Sequence, residues 1–111
     1  MIESFKSEYL EGQLWSVKDS QQNDYKFALI IKLETLNNTK IVHISVLDAS
    51  GVETIGHMPF SEKAFSKSIN KLVQLHSIKH EINSGYQIWR EEFDTNGAGV
   101  YNISIMEAVN L

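Results

Sequence analysis

The strongest constraint on this chain is the run FALIIKLETL, residues 27–36, followed at once by Asn37-Asn38 and then by KIVHISVL, residues 40–47. Phe27, Leu29, Ile31 and Leu33 recur at every second position with Lys32 and Glu34 opposite, the period of a strand that buries one face. The return run puts Val42, Ile44 and Val46 on one side and His43 and Ser45 on the other. Asparagine tolerates positive φ, so Asn37-Asn38 reads as a hairpin turn. Residues 25–36 and 40–47 are therefore expected to pair as antiparallel strands. A first strand is expected at 13–18, after Gly12. Asp48-Ala49-Ser50-Gly51 reads as the next turn, and 52–57 as a short fourth strand. Short connections of this kind imply a meander.

The second half changes period. Pro59 reads as a corner between the fourth strand and a helix capped by Ser61, with Phe60 and Phe65 spaced as a hydrophobic staple. Phe65, Ile69, Leu72, Val73 and His76 then follow helical spacing, so one face of this helix is expected to pack on the sheet. Ser84 and Gln87 match a capping box. They introduce a second helix with Tyr86, Trp89 and Phe93 on one stripe, and Gly97 stands near its expected stop. A strand is expected at 100–103, running into a terminal helix that a second capping-box match, Ser104 with Glu107, begins. The whole is an α+β chain: a curved antiparallel β-meander of about five strands packed with two to three helices.

At 111 residues the chain is expected to be one domain, 1–111. The longest apolar block, residues 27–31, ends at Lys32 after five residues, too few to cross a membrane. The N-terminal residues are acidic and lack the apolar middle of a signal peptide, so a soluble cytoplasmic protein is expected. There is no cysteine, which excludes disulfides, thiol nucleophiles and cysteine metal sites. Net charge is −4, and residues 81–111 account for it: Arg90 stands against Glu81, Glu91, Glu92, Asp94 and Glu107, while acids and bases balance before them. A field of this sign steers a basic partner.

The candidate chemistries are thin. His57, in Ile55-Gly56-His57-Met58-Pro59-Phe60, sits where a strand feeds a helix, a place where side chains often meet ligands. With His43 and a carboxylate such as Asp48 or Glu53 it makes an alternative site for a small enzyme or ligand-binding domain. No nucleophile-elbow pattern accompanies it. His76 and His80 have the spacing of two zinc ligands on a helix, but Ser77 replaces the glutamate of the metalloprotease arrangement, and no metal or cofactor is expected. Asp94-Thr95-Asn96-Gly97 begins like a calcium loop, yet Ala98 and Ile105 stand where ligands are needed. Lys63, Lys67 and Lys71 recur on one helical face and could touch phosphates, but no arginine cluster or RNA motif accompanies them, so direct nucleic-acid binding is not expected. Tyr86, Trp89 and Phe93 fit one buried stripe, and any aromatic left exposed beside Glu91, Glu92 and Asp94 offers an anchor for a protein partner.

Gly12-Gln13-Leu14-Trp15, Ile41-Val42-His43-Ile44-Ser45-Val46, Ile55-Gly56-His57-Met58-Pro59-Phe60-Ser61 and Gly99-Val100-Tyr101-Asn102-Ile103-Ser104 together resemble a group of short bacterial proteins over nearly the full chain. The resemblance carries no catalytic residues over. In size and acidity the chain is also similar to immunity proteins of contact-dependent growth inhibition systems. That likeness implies a secreted toxin domain, often a nuclease, as partner. The acidic C-terminal third and the aromatics beside it lead to the expectation of a non-enzymatic inhibitor that occludes the active site of a basic toxin through Glu91, Glu92, Asp94, Trp89 and Tyr86.

Overall fold

The computed structural model describes residues 9–20, 24–74 and 84–111. Strands β1 (Leu14–Val17), β2 (Phe27–Leu36), β3 (Thr39–Leu47) and β4 (Glu53–Ser61) form the expected meander. A short helix α1 (Glu62–Ser68), strand β5 (Ile69–Gln74), helix α2 (Ser84–Asn96) and helix α3 (Ile105–Val109) follow. The sheet is open and antiparallel, in the order β4-β3-β2-β1-β5. The class is α+β.

Asn37 and Asn38, at φ 49° and 65°, make the tight turn between β2 and β3. Their left-handed conformations match the twist of the flanking strands. Counting back from it, Leu36 pairs with Thr39, Glu34 with Ile41 and Lys32 with His43. The register then shifts between Ile30 and Lys32, where Ile31 is an extra residue. This bulge corrects the simple alternation expected for β2. Phe27, Leu29 and Ile31 pack in a small cluster with Leu14 and Leu47. Leu33 instead joins Ala28, Ile30, Val42, Ile44 and Val46 in the main core.

That main core is closed by Phe60 and Met58 of β4, Ala64 and Phe65 of α1, and Ile105 and Ala108 of α3. Phe60, Phe65 and Ile105 are wholly buried, and removing either phenylalanine ring would cost about 3–5 kcal/mol. Helices α1 and α3 thus cover one face of the sheet. Ser61 caps α1 by accepting from the Ala64 N–H at 3.2 Å. Ser104 and Glu107 form the complete capping box at α3. Gly97, at φ 69°, stops α2 and donates its N–H to the Phe93 carbonyl at 3.2 Å.

Three expectations are corrected. Pro59 is not a corner: β4 runs through it to Ser61. Pro59 pairs with His43 on an edge strand, and its carbonyl accepts from Tyr101 N–H on the outer side. Its missing N–H therefore faces away from β3 and no ladder bond is lost. The expected helix from Ser61 toward His76 ends at Ser68, and β5 replaces its second half. Val17 pairs with Ile69 and Trp15 with Leu72, so between these pairs Ser16 of β1 faces two residues of β5, Asn70 and Lys71. This bulge gives Ile69 and Leu72 the i, i+3 spacing of a helix while they lie on a strand. The strand expected at 100–103 reduces to one bridge, Tyr101 with Phe60.

Candidate functional site

The face of the sheet opposite α1 and α3 carries the polar residues of β2, β3 and β4. The hairpin register and the Ile31 bulge put Lys32, Glu34 and His43 together on it. His57 joins them because its neighbour Met58 pairs with Ile44 and points into the main core. Helix α2 brings Tyr86, Trp89 and Arg90 over the same spot.

The cluster is continuously bonded. His43 Nε2 donates to Glu34 Oε1 at 2.7 Å. His57 Nε2 stands 2.8 Å from His43 Nδ1. The Tyr86 hydroxyl reaches both oxygens of Glu34, at 3.0 and 3.2 Å, and Arg90 Nη1 donates to Oε2 at 3.1 Å. Arg90 Nε holds Asp94 Oδ2 at 3.2 Å. Rings close the remaining sides: the centroid of His43 lies 4.8 Å from Tyr86 and 4.9 Å from Trp89, both edge to face. Lys32 Nζ sits 5.5 Å from the Tyr86 ring centroid, within cation–π range. Trp89 Nε1 donates to the Gly99 carbonyl at 3.0 Å, and Phe93 stacks beyond it at 5.1 Å.

His43 has no exposed surface. Burial lowers its pKa to about 3, and the charges of Lys32 and Arg90 add to the effect. Arg90 already shares the Glu34 carboxylate, so that carboxylate does not rescue a protonated His43. Burial lowers His57 to about 4, helped by His43 and opposed by Glu34. Burial and the bond to Glu34 raise the Tyr86 hydroxyl. Both imidazoles are therefore neutral near pH 7, and the protons are ordered. Glu34 accepts from His43 Nε2–H, so His43 Nδ1 accepts from His57 Nε2–H. The arrangement ties three strands to α2 through one carboxylate.

The expected site residues separate into two groups. Tyr86 is buried and Trp89 half-buried; both lie under α2 against His43 and His57 of the sheet. Glu91, Glu92 and Asp94 are exposed. Glu92 Oε2 accepts from Asn96 Nδ2 at 2.9 Å. The carboxylates weighed as partners for the histidines are placed elsewhere. Asp48 Oδ1 accepts from the N–H groups of Ser50 and Val52 in its turn, and Glu53 is exposed at the start of β4. His76, His80 and Glu81 lie outside the described residues. Lys71 is on β5, so the lysine stripe is broken. Lys63 and Lys67 remain on α1 beside a cavity of about 340 Å³ that Ser61 and Asn102 also line. Among the described residues no three His, Asp or Glu side chains are grouped as a metal site, and no helix is long and apolar enough to cross a membrane.

Besides Arg90, which entered only as a charge, three participants were not read from sequence as site residues. Glu34 and Lys32 were visible in principle, since a two-residue turn at Asn37-Asn38 fixes Lys32 opposite His43. Ile88 is the third. It is 63% exposed in the middle of α2, and its spacing from Glu91 and Glu92 puts the three side chains on one outward face.

Comparison of the chain with protein-family models, with curated proteins and with solved structures finds no match in any of the three.

Proposed function

We propose that the chain is a non-enzymatic binding protein of the immunity type, and that the outward face of α2 docks on a basic toxin domain in the cytoplasm. The observation that carries this reading is Ile88, 63% exposed beside Glu91 and Glu92, on a helix whose Tyr86 and Arg90 are bonded to Glu34 of the sheet. A rigid helix presenting one apolar anchor among carboxylates fits the pattern of a small interface, in which a few desolvated anchors carry the affinity. Glu91, Glu92 and Asp94 pair with toxin lysines or arginines that otherwise hold nucleic-acid phosphates, so the toxin's active site is occluded. Complementary charge raises the association rate, and the anchor slows dissociation.

A site for catalysis at His43 and His57 has less support from the same geometry. Both rings pack against aromatic side chains, and their low pKa values make them weak bases at neutral pH.

The test is to express the tagged chain in its bacterium and to characterise what co-purifies at moderate salt. The reading predicts a stoichiometric basic protein whose nuclease activity is silent in the complex and returns on separation. A partner that is acidic, or that stays fully active while bound, contradicts it.

A further inference from the structure

Beside the C-terminal end of α2, at the foot of the β2–β3 hairpin, the sheet and the chain leave an open cavity of about 190 Å³. Leu36 and Ile41 of the hairpin, Phe93 of α2 and residues 98–100 line it, together with the polar Asn37 and Thr39 at the turn. Phe93 is the last residue of the Tyr86–Trp89–Phe93 stripe. Tyr86 and Trp89 meet the histidine cluster, whereas Phe93 has this cavity beside it. Its chain neighbours Glu92 and Asp94 are both exposed.

We infer that this cavity receives one large apolar side chain, leucine or phenylalanine, presented by the basic partner next to its lysines or arginines. Two features on the same helix end support that occupant. An apolar hollow with a half-buried aromatic wall gains when water leaves it, which is how anchor side chains seat at interfaces. The carboxylates on either side of Phe93 select cations flanking the anchor and disfavour acidic neighbours. The partner's identity as a basic protein rests on the binding reading above; the cavity can be tested without the partner.

Gly99 provides the variant. Gly99 lines the cavity, a Cβ built there meets no atom within 4 Å, and the glycine is not among those with positive φ, so a side chain is accepted at the cavity's edge without backbone strain. The probe is N-acetyl-Lys-Phe-Lys-amide, titrated to about 10 mM while amide signals are followed by NMR, since a single anchor gives affinities near the millimolar range. The expected result is a saturable shift at Ile41, Phe93 and Val100. The Lys-Gly-Lys and Glu-Phe-Glu analogues should bind at least about tenfold more weakly, because each lacks one of the two features. Gly99→Leu should lose the response by a similar factor with the rest of the spectrum unchanged, and Gly99→Ala should fall between. No shift at these amides, an equal response to Lys-Gly-Lys, or an undiminished response in Gly99→Leu would overturn the inference. With the co-purified partner the two claims separate. If Gly99→Leu keeps wild-type affinity while Glu91→Lys/Glu92→Lys loses it, only the cavity assignment fails. If the charge-reversed variant keeps the partner, the binding reading fails and the peptide titration still judges the cavity.

Discussion

His57 Nε2 stands 2.8 Å from His43 Nδ1, with the two ring planes 23° apart, and His43 passes the interaction on to Glu34. One carboxylate therefore sets the tautomers of two neutral imidazoles. Removing its charge, or adding one to either ring, disturbs every element that meets there. The cluster is balanced as it stands, since Lys32 and Arg90 oppose Glu34 and Asp94.

Stability should fall as pH drops from about 6.5 toward 4, because the unfolded histidines take up protons near 6.5 while the folded ones resist until about 4 and 3. The unfolded state then binds more protons, so the contribution is complete above pH 6.5 and is lost progressively below it. Each imidazole adds a slope of at most about 1.4 kcal/mol per pH unit. Urea midpoints at pH 7, 6 and 5 measure this above the carboxylate range. The His57→Gln variant should show a shallower decline than the wild type. A midpoint that does not move between pH 7 and 5 is the contrary result.

Glu34→Ala should cost about 1–3 kcal/mol, since it strips the acceptor from the buried His43 and from Tyr86, while Arg90 keeps Asp94. Glu34→Gln keeps the volume and one acceptor oxygen, so its cost should be smaller. Chemical denaturation gives both values. Amide exchange should rise first in α2, which the carboxylate holds to the sheet. Equal stability for Glu34→Ala and wild type would show that the cluster does not anchor the helix.

Ser68 joins α1 to α3: its hydroxyl donates to the Ala64 carbonyl at 2.7 Å and accepts from the buried Ile105 N–H at 3.0 Å. Ser68→Ala should destabilise by about 1–3 kcal/mol, the usual consequence of leaving a buried donor unmet. A change under about 0.5 kcal/mol, the level of an ordinary surface substitution, would mean that the Ile105 N–H finds another acceptor.

The meander was legible because its signals are local: alternation in β2 and β3, asparagines at the turn, and caps at Ser61, Ser104 and Gly97. What escaped was set by bulges. The extra residue Ile31 leaves Leu33 in the main core while Phe27, Leu29 and Ile31 pack elsewhere, so strict alternation misassigns everything after residue 31. The extra residue in β5 made a strand look helical at Ile69 and Leu72. Pro59 read as a corner because an edge strand accepts proline only where its nitrogen faces away from the neighbouring strand, and that depends on register. The acidic residues of α2 were evident from charge. The burial of Tyr86 followed from its place on the aromatic stripe, whereas the exposure of Ile88 was not evident, because it depends on which helix face the sheet receives.

Glu91→Lys/Glu92→Lys, by contrast, should change stability by less than about 0.5 kcal/mol, because both side chains are exposed. That makes the double variant the most direct test of the binding account, read as the dissociation constant for the co-purified partner at low and moderate salt. The account predicts a loss of at least about a hundredfold at low salt, chiefly through slower association, which narrows as salt screens the charges. An unchanged dissociation constant at both salt concentrations would contradict it.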